Sequence, residues 1–143
     1  MKPYLLDVNV LIALAWPSHV HHSHAQRWFA RKSAAGFRTC PLTQLGFVRI
    51  SSNPKFTAAA VSPRDALRLL ERITALPGHK FWPANLDVVD SFGRTAILGH
   101  RQILDAYLIE LARAHRGVLA TLDQAVRSLV PGREHLLELV PSF

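Results

Sequence analysis

Three aspartates stand in apolar surroundings: Asp7 within Tyr4-Leu5-Leu6-Asp7-Val8-Asn9-Val10-Leu11, Asp105 within Ile103-Leu104-Asp105-Ala106-Tyr107-Leu108, and Asp123 closing Val118-Leu119-Ala120-Thr121-Leu122-Asp123. An ionised carboxylate in such company is costly unless something pairs with it, and three brought to one place repel each other. A hard divalent cation removes both penalties. All-oxygen donors suit Mg²⁺ or Mn²⁺, and a carboxylate-held ion is a common way to activate water against a phosphodiester.

That chemistry requires a scaffold that gathers residues more than a hundred positions apart. Short apolar runs at Tyr4 to Leu6, Phe37 to Cys40, Lys80 to Trp82, Val118 to Thr121 and Leu136 to Val140 read as strands. Between them lie helical patterns. Leu11 to Trp16 is apolar nearly all round, as a buried helix is, and Pro17 stops it. A second helix is expected from about Ser23 to Ala34, with Gly36 at its end, and Pro41 opens a third that reaches about Ser51. Ser62-Pro63 starts a fourth, in which Leu67, Leu70 and Ile73 form an apolar stripe while Arg64, Arg68 and Arg72 recur every four residues on another face. Ile103 to His115 repeats the amphipathic pattern, and the stretch from Asp87 to Gly99 fits no single element. Strands alternating with helices predict an α/β fold: right-handed crossovers, and a central parallel sheet of four to five strands covered on both faces as a three-layer α/β/α sandwich. Ligands in such sheets bind at the carboxyl ends of strands, where Asp7 and Asp123 fall, while Asp105 lies in the first turn of a helix.

At 143 residues and 49% hydrophobic content the chain has material for one substantial core, and a single domain over residues 1–143 is expected. The longest largely apolar run, Val8 to Trp16, falls far short of the roughly 20 residues that span a bilayer. No basic leader precedes it, so neither anchor nor signal peptide is expected. The one cysteine, Cys40, excludes an internal disulfide and cysteine-based metal cages, which fits a cytoplasmic setting. A net charge of +7, spread along the chain without a basic tail, favours polyanionic partners and nucleic acid first among them.

The same residues resemble a PIN domain of the VapC toxin type, from bacterial toxin and antitoxin pairs. The resemblance is carried by Leu6-Asp7-Val8-Asn9-Val10-Leu11, Leu42-Thr43-Gln44-Leu45-Gly46-Phe47-Val48-Arg49, Asp105-Ala106-Tyr107-Leu108 with Leu111-Ala112, and Ala120-Thr121-Leu122-Asp123, in that order and at that spacing. It implies a PIN-like fold, a Mg²⁺-dependent endoribonuclease acting on structured RNA such as tRNA or rRNA and so halting translation, a homodimer, and a VapB-type antitoxin as partner. It further implies that Asp7, Asp105 and Asp123 are the metal-site acids and that Asn9 and Thr121 orient them. At Gln44 the chain departs from the pattern, which has a glutamate there. The amide oxygen of Gln44 can accept a hydrogen bond from water or ligate a metal, but it carries no charge. Asp87 is a candidate for the missing charge.

Arg49, Arg64, Arg68, Arg72 and Arg101, with Lys55, Lys80 and Arg94, are candidates for a phosphate track, the alternative being an ordinary charged surface. His19, His21, His22 and His24 invite a zinc reading, with solvated histidines at a helix start as the plainer one. Trp16, Trp28 and Trp82 could stack on bases, though core positions are the commoner fate of such aromatics. The first helix and the tryptophans are the expected surface for self-association. Two further classes stay open: a catalytically silent RNA-binding PIN domain, and a phosphatase or phosphoreceiver on a similar sheet. Against the last, Asn9 stands where a second acid is wanted.

Overall fold

The computed structural model describes residues 1–92 and 99–141. Arg94 and the 93–98 part of the ambiguous stretch therefore lie outside the described residues. Five short strands, β1 (Tyr4–Leu6), β2 (Phe37–Thr39), β3 (His79–Phe81), β4 (Val118–Thr121) and β5 (Leu137–Leu139), form one sheet in the order β3-β2-β1-β4-β5. Every pairing is parallel, and the register sets Leu5 beside Leu119 and Leu6 beside Ala120. The chain moves outward from β1 in one direction and then resumes on the other side with β4. The junction between β1 and β4 is thus the point where strand order reverses, and their carboxyl ends splay to leave a crevice there.

The sheet is a sandwich because its strand residues alternate between two apolar layers. Leu5 and Leu119 join one core with Tyr107, Ile109 and Leu111 of α6 (Ile103–Ala114), while Leu6 and Ala120 join the other with residues of α1 (Val8–Ala15), α2 (His22–Lys32), α3 (Pro41–Ser51) and α4 (Pro63–Thr74). Helices therefore cover both faces, as expected. The strands match the sequence expectation to within a residue or two at their ends. The first helix begins three residues earlier than expected, because Asp7 caps it: its Oδ1 accepts from Val8 N at 2.7 Å. A four-residue helix, α5 (Val88–Ser91), occupies part of the ambiguous stretch.

Gly46 has a packing reason. A Cβ there would stand 2.6 Å from Val8 Cγ2, so its absence lets α3 lie directly against the first turn of α1, beside Asp7. On the opposite side, Glu110 of α6 is buried and takes Arg133 at 2.6 Å and Arg113 at 2.8 Å, which ties the helix to the segment leading into β5. Burial alone would raise its pKa, but the hydrogen bonds from Arg133 and Arg113 outweigh that and hold Glu110 below the ordinary value of 4.5. A depressed acid stabilises the fold above its unfolded pKa and ceases to do so as pH falls through the folded one. Glu110→Ala is therefore expected to cost about 2 kcal/mol at neutral pH, discounted from a fully buried pair because Arg113 is half exposed. Urea denaturation at pH 7 and pH 3 should show that cost shrinking in acid.

Candidate active site

Asp7 follows β1, Asp123 follows β4 by two residues, and Asp105 occupies the first turn of α6. All three line one cleft of about 280 Å³ at the carboxyl edge of the sheet, together with Asn9, His19 and Phe56. Asp7 is 7% exposed, Asp105 is half-buried and Asp123 is exposed.

A hydroxyl organises the cleft. Thr121 Oγ1, fully buried, donates to Asp7 Oδ2 at 2.8 Å and accepts from Asn9 Nδ2 at 3.1 Å and from Asp123 N at 3.1 Å. The single proton and the lone pairs of that oxygen are thereby used on one carboxylate, one amide and the loop carrying another carboxylate. Asn9 completes the clamp by accepting from Leu122 N at 3.0 Å. Asp123 Oδ1 accepts from Ala125 N at 2.9 Å and caps the short 3₁₀ turn that follows, so the capping expected of an ordinary aspartate is present alongside its place in the cleft. Asp105 has no hydrogen bond among the described residues.

The electrostatics of the group are those of an unbalanced cluster. Burial raises the pKa of Asp7 above 3.8 despite the bonds from Thr121 and Val8, and Asp123 adds to the rise. Asp105 is pushed up to about 6 by burial first, then by Asp7 and Asp123. Among the described residues no Lys, Arg or His forms an ion pair with any of the three. Nor, among those residues, do three His, Cys, Asp or Glu side chains close into a ready metal cage. The donor set nonetheless fits Mg²⁺, which keeps several waters and takes one or two carboxylates rather than a complete protein shell. Among the described residues the histidines close into no metal-like group: His22 Nδ1 pairs with Ala13 O at 2.8 Å, and the ring centroids of His19 and His21 stand 5.7 Å apart and those of His21 and His24 6.4 Å.

Two candidates stand apart from the acids. Gln44 Nε2 donates to Thr39 Oγ1 at 3.0 Å, which in turn pairs with His79 Nε2 at 2.8 Å, and Gln44 lines neither the cleft nor the groove beside it. Asp87 caps α5 through Val89 N and Asp90 N and does not supply the missing carboxylate. Of the arginines, Arg49 lines the apolar groove that also reaches Asp7 and Asp105. Arg64, Arg68, Arg72 and Arg101 are exposed but line neither recess, and Arg68 is paired with Asp65 at 2.9 Å. Among the residues that the sequence reading missed at the cleft are Ile50, near the end of α3, and Phe56, in the loop that follows it; an isolated apolar residue in a loop carries no signal of what it faces.

The PIN domain family model matches residues 4–129 of the chain. Ribonuclease VapC39 of Mycobacterium tuberculosis is 48% identical over 124 residues, covering 85% of this chain and 89% of that protein. Among solved structures, VapBC2 from Rickettsia felis bound to a DNA fragment from its promoter matches with a TM-score of 0.67 at 12% identity, over 97% of this chain and 99% of that one. Mycobacterium tuberculosis VapC20, described as a sarcin-ricin loop cleaving toxin, matches with a TM-score of 0.63 at 13% identity, over 87% and 93% of the two chains.

An acid whose pKa is raised on folding opposes folding wherever it is ionised. That penalty develops between 3.8 and about 6 for Asp105. Asp105→Asn is therefore expected to stabilise the metal-free protein above that range by about 1 kcal/mol, the partial exposure of the carboxyl having been allowed for. Urea denaturation at pH 7.5 should show the gain in EDTA and its loss in magnesium.

Proposed function

The chain belongs to the PIN-domain family, in its VapC branch, and on that premise we propose that it is the toxin of a toxin–antitoxin pair, a metal-dependent endoribonuclease that cuts structured RNA and so stops translation. The observation that carries this reading is the shared cleft of Asp7, Asp105 and Asp123, three acids that, among the described residues, form no ion pair with a Lys, Arg or His. Asp7, Asp105 and Asp123 would hold Mg²⁺, with Mn²⁺ as a substitute. When bound, a divalent ion at such a site polarises a phosphodiester and lowers the pKa of an attacking water.

The protein's own contribution is position. Thr121 fixes the second oxygen of Asp7 by donating to it, which partly offsets the rise that burial causes and sets the direction of the carboxylate, and Asn9 holds the loop of Asp123 against the same hydroxyl. Arg49 stands where the groove meets the acids and offsets the repulsion between carboxylates and an incoming phosphate. The remaining basic surface, with Arg64, Arg68, Arg72 and Arg101, supplies long-range attraction to RNA without reading its sequence. Activity is expected to vanish in EDTA and return with magnesium. Asp7→Asn is expected to lower cleavage at least about 100-fold. A cleavage assay on purified protein checks the first, and mapping RNA ends after brief expression of wild type and Asp7→Asn checks the second; ends common to the two proteins would overturn the assignment.

Partners follow from two surfaces. An antitoxin of the VapB kind would cover the acid cleft, most economically with an arginine against the unpaired carboxylates. A second copy of the chain is the proposed occupant of the groove of about 480 Å³ between α3 and α6, where Leu45 and Leu104 are 68% and 59% exposed. Of the surface expected from the sequence, Val10 to Ala13 of α1, Trp28 and Trp82 are buried and have nothing to offer a partner, while Leu14, Ala15 and Trp16 stay partly exposed. Leu45→Glu is expected to turn a dimer into a monomer in sedimentation at micromolar concentration; a wild type already monomeric there would remove the dimer.

A further inference from the structure

Next to the acid cleft lies a second recess, of about 160 Å³, lined by Trp16, Ser18, His19, Phe56 and Thr57. His19 and Phe56 line both, so the two spaces are neighbours across those side chains. We infer that this recess is a nucleobase site: one unstacked base of the RNA, adjacent to the phosphate at the acids, stacks on Phe56 and is read along its edge by His19, Ser18 and Thr57. The inference rests on the ribonuclease reading for its substrate class.

The walls are built to stay put. Phe56 is 49% exposed and sits in a turn in which Asn53 Oδ1 accepts from Lys55 N at 2.9 Å and Asn53 O accepts from Phe56 N at 3.0 Å. Val61 N donates to Ser51 O at 3.1 Å and ties the far end of the loop back to α3. Trp16 is fixed by its Nε1, which donates to the buried Ser51 Oγ at 3.1 Å. An aromatic ring held half in water by a rigid turn, and belonging to neither core layer, is a stacking platform rather than a packing residue.

The edge is polar and donor-rich. His19 Nδ1 accepts from His21 N at 3.0 Å, so in the neutral ring the proton is on Nε2. Burial first, then His21 and His22 nearby, lower the pKa of that ring and so favour its neutral form. Nε2–H has no acceptor among the described residues. Thr57 Oγ1 accepts from Ala59 N at 3.1 Å, which leaves its proton to donate, and Ser18 is exposed. Three donors around an aromatic face suit a base that presents oxygen or ring-nitrogen acceptors. Proteins that read RNA sequence do so on unstacked bases of this kind, held between an aromatic face and hydrogen-bonding side chains.

Two measurements test this. In a randomised oligoribonucleotide pool, the wild type is expected to prefer one base beside the cut, His19→Ala to flatten that preference, and Phe56→Ala to raise KM about ten-fold. In the Asp7→Asn protein, a short oligoribonucleotide containing 2-aminopurine is expected to be quenched on binding, and the added Phe56→Ala substitution to abolish the quenching. Because Phe56 is exposed, its truncation leaves the core intact. Quenching that survives Phe56→Ala, with an unchanged base preference, would overturn the base site while leaving the nuclease. Absence of cleavage by the wild type together with Phe56-dependent quenching would instead remove the nuclease and keep the site. A Phe56→Ala effect confined to antitoxin binding would assign the recess to the protein partner and also overturn it.

Discussion

Like charges crowded at the carboxyl edge of a parallel sheet are the constraint around which this molecule is arranged. Asp7 and Asp105 are both raised in pKa by burial, and the acids raise one another further, so the cluster works against folding wherever it is ionised. Hydrogen bonds offset part of that cost. Thr121 gives its one proton to Asp7, and the backbone of Val8 supplies a second bond to the same carboxylate. What remains is an electrostatic strain that uptake of a proton or of a cation would relieve.

The sheet supplies the geometry because strand order reverses between β1 and β4. Residues that follow those two strands meet at the point of reversal, and α6 arrives from the other layer to contribute Asp105. Close approach of α3 to α1, made possible by the missing Cβ of Gly46, brings Arg49 and the apolar groove to the same edge. Acidic cleft, basic lip, apolar groove and aromatic recess are therefore neighbours by construction. On the proposed function, chemistry, substrate attraction and partner binding would share one rim, and whatever covered that rim would also control access to the acids.

Stability is secured elsewhere. Glu110 with Arg113 and Arg133 locks the back of α6, and Trp28 on α2 donates its Nε1 to Glu138 of β5 at 2.9 Å while packing edge-on against Tyr4. These contacts lie away from the cleft, between helices and strands that do not move charges. The division lets the rim carry unpaired acids and exposed apolar side chains at a cost the rest of the fold absorbs.

Much of this was legible in the chain as written. Apolar runs of strand length alternating with amphipathic helices specify a parallel sheet covered on both faces, and an aspartate closing a strand is conspicuous because burial of a charge demands a reason. Helix periodicity likewise placed Asp105 in a first turn. Tertiary structure decided what local pattern cannot hold: that Gln44 turns to Thr39, that Asp87 only caps a short helix, that the tryptophans of α2 and β3's end are interior, and that Phe56 comes to face the acids. The reason is that periodicity records which side of an element is apolar, whereas the direction of an uncharged amide or a loop aromatic is set by neighbours remote in sequence, and those exist only once the chain has folded.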